Sequence, residues 1–138
     1  MNDENSYSVA NISGDILAPN LSGIASFKPY KDGTMVEVEI SGLPGYNNYG
    51  LYQIEINNGS GCMINQSGSF SGITSIYNPT NSIYPFQSGD MPPLFSNNGY
   101  AYMKFYTTRF KYYEIEGKLV VIKSNNRKIG CGKIEKYV

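Results

Sequence analysis

The chain has 138 residues, enough for one domain with a buried core and too few for two. Eleven basic and eleven acidic side chains cancel, so there is no general attraction to nucleic acid, to anionic membranes or to acidic substrates. Histidine is absent, which excludes Ser–His and Cys–His nucleophile pairs, and no apolar run approaches the ~20 residues of a membrane-spanning helix.

The opening "MNDENSYSVA" is acidic and polar, unlike a secretory signal. It predicts a cytoplasmic protein unless the chain is the processed form of an exported one. "YSVANI" (7–12) and "LSGIASFK" (21–28) read as strands. "KDGT" (31–34) is a hairpin-type turn, with Gly33 free to take positive φ. "TMVEVEIS" (34–41) alternates with period two: Val36, Val38 and Ile40 share one face, Glu37 and Glu39 the other. Those two carboxylates run along the outside of a strand, which gives them no general acid–base role. "SGLPGYNN" (41–48) breaks the strand. In "LYQIEI" (51–56), Tyr52, Ile54 and Ile56 turn inward while Gln53 and Glu55 share the opposite face.

Residues 57–93 are long and irregular, rich in Gly, Ser and Pro. A loop of that length is functional or held by cross-links. Its "GSFSG" (68–72) is a turn pattern, and the chain has no GxxxxGK[ST] phosphate loop. "GYAYMKFYT" (99–107), "KLVVIK" (118–123) and "KIGCGKIEKY" (128–137) are further strands, and "RFKYYEIEGK" (109–118) is a turn or a short helix. Seven or eight short strands separated by Gly, Pro and Asn turns predict an all-β antiparallel sandwich or Greek-key barrel. The two cysteines, Cys62 and Cys131, form no CxxC pair. A bond between them would close a loop of about 70 residues and contribute ~4 kcal/mol in the chain-entropy model. Two free thiols fit the spacing equally well.

"SGLPGYNNYGLYQIEINNGSGC", "IYNPTNSIYPFQSGDMPPLFSNNGYAYMKFYTTRF", "IEGKLVVIK" and "KIGCGKI" occur in an order and spacing that resemble the copper/zinc superoxide dismutase family, especially its bacterial members. The resemblance covers about Ala10 to Ile134. It implies an eight-stranded Greek-key β-barrel, with residues 1–9 an N-terminal extension or strand start and 10–138 a single dismutase-like domain. It also implies a disulfide between Cys62 and Cys131, which would pin the irregular loop to the last strand.

The family's copper and zinc are held by six histidines and an aspartate, one imidazole bridging the two ions. Imidazole suits both metals, and its second nitrogen allows the bridge. Carried onto this chain, the copper positions fall on Gln53, Glu55, Ile76 and Lys123. The zinc positions fall on Ile76, Tyr84, Gln87 and Asp90, with Ile76 at the bridge. All six histidines are therefore replaced and only Asp90 survives. The family's long charged loop before the second cysteine is reduced to "SNNRKIG", where Arg127 and Lys128 fall near its active-site arginine. Residual anion attraction there stands against ordinary solvated charge.

These departures predict a dismutase-like protein without metal or other cofactor, in a non-catalytic binding or structural role. The alternative is an enzyme: a dismutase or other weak redox enzyme on an unorthodox metal site, or a weak activity built on Glu55, Asp90 and Tyr84. No nucleic-acid partner and no membrane insertion are expected; the partner stays open between a second copy of the chain, another protein and a small molecule. Glu55 and Lys123 are expected to meet as a salt bridge with Gln53 bonded nearby. Tyr84, Gln87 and Asp90 are expected to form a second cluster, the tyrosine hydroxyl donating to the carboxylate, with Ile76 between the two. Tyr49, Tyr52, Tyr77, Tyr84 and Phe86 crowd this region, either as a pocket for an apolar or ring-containing ligand or as filling for the lost volume.

Overall fold

A computed structural model of the chain describes residues 6–45 and 50–137. Among them are nine strands and no helix. The strands are β1 (Tyr7–Gly14), β2 (Ser22–Tyr30), β3 (Gly33–Ser41), β4 (Leu51–Gly59), β5 (Ile73–Ile76), β6 (Leu94–Phe95), β7 (Ala101–Thr107), β8 (Leu119–Ser124) and β9 (Arg127–Tyr137). The main sheet runs β5-β4-β8-β9-β1-β2-β3-β7, and the two-residue β6 pairs with β4 off that path. Every pairing of these strands is antiparallel, and the sheet curls into a half-barrel.

Period-two alternation produces the concave core. Val36, Val38 and Ile40 of β3 are fully buried, with Ala25 and Phe27 of β2 beside them in register. Tyr52, Ile54 and Ile56 of β4 face the same core, as the alternation predicts. Strand β8 breaks the alternation: Leu119, Val120, Val121 and Ile122 are all buried. A continuous apolar run is what a strand covered on both faces needs. The second cover is a smaller cluster in which Leu119, Val121 and Cys131 pack with Cys62, Phe70 and Ile73. There the Cys62 and Cys131 sulfurs lie at bonding distance, with Cα atoms 5.6 Å apart.

Two local expectations change. The positive φ of the β2–β3 turn falls on Lys31 (53°), not on Gly33. Gly33 is needed for closeness instead, because a Cβ there would lie 2.3 Å from the Thr107 carbonyl oxygen of β7. The 57–93 stretch is not wholly irregular, since it contains β5, paired to β4 through Asn57 and Gly59 around a register shift. Residues 109–118 form turns, one of the two forms expected there, and Phe110 and Ile115 are buried in the core.

Candidate functional site

Strand β4 builds the site because its two faces see different surroundings. Its inward residues enter the core, while Gln53, Glu55 and Asn57 share the opposite face. On an ordinary sheet that face would be wet. Here the loop after β5 folds over it, bonded main chain to main chain. The Ile56 amide donates to the Gly89 carbonyl at 2.9 Å, the Tyr77 amide to Ile56 at 2.9 Å, and the Gly89 amide to Tyr77 at 2.8 Å. A Cβ on Gly89 would lie 2.4 Å from the Ile56 oxygen, so the glycine of "SGD" is fixed by close approach. The result buries Glu55 to 4 % exposure and Asn57 to 2 %.

Gln53 pairs across the strands with Lys123 of β8, which sets the Lys123 side chain one diagonal step from Glu55. Lys123 Nζ lies 3.1 Å from Glu55 Oε1, with the two side chains 20 % and 6 % exposed. The other oxygen, Oε2, accepts from Asn57 Nδ2 at 3.0 Å. The expected ion pair is present, but its neutral partner is Asn57 rather than Gln53, which makes no side-chain hydrogen bond among the described residues. Sequence could have shown this: Asn57 follows Glu55 by two positions on one strand face.

The second expected cluster does not form. Tyr84 is 65 % exposed, and its hydroxyl does not bond Asp90. Asp90 Oδ2 instead accepts from the Gln87 backbone amide at 2.9 Å, closing a tight turn away from the tyrosine hydroxyl. Burial pushes the Asp90 carboxyl above its usual range and Glu55 adds to this, while the Gln87 amide, Arg109 and Lys123 oppose it. Arg109, which no sequence pattern singles out, ties this turn to the end of β7: its Nη1 donates to the Pro85 and Gln87 carbonyls at 2.7 and 3.2 Å.

Gln53, Glu55, Ile76, Tyr84, Gln87, Asp90 and Lys123 all line one cleft of about 290 Å³, with Lys128 on its wall. Arg127 is turned to a structural use: its Nη2 lies 2.8 Å from buried Asp15 Oδ2 and 3.1 Å from Ser69 Oγ. Of the expected aromatic crowd, Tyr52 belongs to the core and its hydroxyl donates to the Pro44 carbonyl. Tyr77 lies half-buried under Lys118, with Nζ 4.9 Å from the ring centre. Phe86 is 64 % exposed, and Tyr49 lies outside the described residues. Among the described residues Tyr84 alone of these aromatics lines the cleft, so they do not enclose it.

This donor set does not fit copper or zinc. Ile76 offers no donor, Lys123 brings a cation, and both Glu55 oxygens are already engaged. Among the described residues no three His, Cys, Asp or Glu side chains gather as a metal site would require. What the cleft offers is one satisfied ion pair, amides, the hydroxyls of Thr74 and Ser75, and the ammonium of Lys128. No family model matches the chain, and no curated protein matches it.

Proposed function

We propose that the chain is a Greek-key barrel of the copper/zinc superoxide dismutase kind whose metal centre has given way to the Glu55–Lys123 ion pair, and that it works without catalysis, in a binding or structural role. One observation carries the reading. Seven positions taken from the family's ligand pattern, spread from β4 to β8 in sequence, line a single cleft. Unrelated surface residues have no reason to converge in this way.

Two further features support it. The sheet order places β9 beside β1 and β7 beside β3, which requires long connections of the kind a Greek key makes. The cysteines matched by sequence context come to bonding distance. The chemistry follows from the charges: the Lys123 ammonium neutralises the buried Glu55 carboxylate and repels an incoming cation.

The test is metal analysis and superoxide turnover on the purified chain after incubation with copper and zinc. The expected result is no stoichiometric metal and no turnover above buffer. Turnover that rises with bound copper and disappears on chelation overturns the reading.

A further inference from the structure

A second groove, of about 360 Å³, runs between the end of β7 and the segment from Tyr84 to Pro93. Its size is within the range of small-molecule sites, roughly 300–1,000 Å³. Met91, Pro92, Pro93 and Phe105 give it apolar walls, and Arg109 and Asp90 bring charge. The two charged side chains are held by the backbone of the same residue, Gln87. Arg109 Nη1 donates to the Gln87 carbonyl at 3.2 Å, and the Gln87 amide donates to Asp90 Oδ2 at 2.9 Å. They do not bond each other: the ion pairs among the described residues are Lys123–Glu55 and Arg127–Asp15. Arg109 Nε and Nη2 and Asp90 Oδ1 thus keep unused hydrogen-bonding capacity beside an apolar wall.

That arrangement selects by charge. An anion alone would meet the Asp90 carboxylate, and a cation alone would meet the Arg109 guanidinium. A ligand carrying both charges close together satisfies both, and the planar guanidinium fork matches a carboxylate. The two loop carbonyls already orient Arg109, so less side-chain freedom is lost on binding. We propose that this groove binds a free α-amino acid with an apolar side chain. Arg109 receives its carboxylate, Asp90 its ammonium, and Met91, Pro92, Pro93 and Phe105 its side chain. A peptide end supplies only one of the two charges and fits less well. The inference is independent of the dismutase-like reading, and the superoxide assay leaves it untouched.

The test is a two-dimensional NMR titration of the whole chain with L-phenylalanine into the millimolar range. N-acetyl-L-phenylalanine, which lacks the ammonium, and L-phenylalaninamide, which lacks the carboxylate, are the controls. The expected result is saturable shifts at the Met91 methyl and the Phe105 amide, with each control binding at least about ten-fold more weakly. Arg109→Gln also removes two loop contacts, so the controls on the unaltered chain decide first. Absence of a saturable shift overturns the proposal, as do equal affinities for the controls or shifts confined to Gln53 and Lys123. Unchanged affinity in a folded Arg109→Gln protein overturns it as well.

Discussion

At Glu55 a side chain only 6 % exposed meets Lys123 on one oxygen and Asn57 on the other. Removing one partner of such a pair leaves a charge without compensation. Breaking a fully buried pair costs ~3–5 kcal/mol; because Lys123 is one-fifth exposed, Lys123→Ala is expected to cost about 2–3 kcal/mol. The double variant Glu55→Leu/Lys123→Met removes both charges and is expected to recover most of that loss. Urea unfolding midpoints of the two proteins check this, and a single-variant loss below about 0.5 kcal/mol would place the pair with ordinary surface charges. Gly89 gives a steric counterpart. A methyl there must push the Ile56 carbonyl away, so Gly89→Ala is expected to lose roughly 1–3 kcal/mol, read from the same unfolding curves.

At the scale of elements, the β2–β3 turn is tied to β7 by the Tyr106 hydroxyl, which donates to Asp32. That bond is the main cause holding the Asp32 carboxyl below its usual value, and the same bond raises the Tyr106 phenol. A carboxyl with a depressed folded pKa contributes stability above its unfolded pKa and loses it as pH falls through the folded one. A phenol with a raised folded pKa contributes below its unfolded pKa and loses it as pH rises through the folded one. Tyr106→Phe is therefore expected to move the Asp32 titration upward, measured by carboxyl-carbon NMR; no movement would show that the hydroxyl is not the cause. The link from Cys62 to Cys131 acts over a longer range, between residues 69 apart in sequence. Replacing both cysteines by alanine is expected to cost ~4 kcal/mol by the chain-entropy argument, seen as a lower unfolding midpoint than that of the oxidised chain.

How far these elements were legible in the sequence depended on how locally each is determined. β3 and the start of β4 show clean alternation because one side of each strand alone decides its pattern. The β8 run is continuous instead, because both of its faces are covered. β5 escaped because "ITSI" is short, lies among Gly, Ser and Asn, and alternates in neither burial nor polarity. Glu55 facing Lys123 was legible because the resemblance puts both on copper-ligand positions that converge on one point. The Tyr84–Asp90 contact was misjudged because a backbone amide three residues away engages one carboxylate oxygen while Tyr84 turns to solvent. Arg109 could not be read at all: it reaches across 22 residues of sequence to a main-chain oxygen, and a carbonyl carries no side-chain signature.

For the molecule as a whole, the sheet order puts β8, β9 and β1 in the middle and leaves β5 and β7 at the ends. Local opening draws on the ends first. Amides of Val120 to Ile122 are expected to exchange with solvent only on global unfolding, and those of Ile73 to Ile76 orders of magnitude sooner. Hydrogen-exchange mass spectrometry resolves the two regions, and equal protection would contradict an end-strand role for β5. The main-chain ties among Ile56, Tyr77 and Gly89 have a different kind of consequence. The frame of the cleft is held by peptide groups that every sequence possesses, whereas its contents are side chains mounted on that frame. Occupants can therefore be exchanged while the mounting survives, like instruments on a common rack. A saturation library should accept broad replacement at Gln53 and Gln87 and reject nearly everything at Gly89, which makes the cleft a socket for chemistry installed by design.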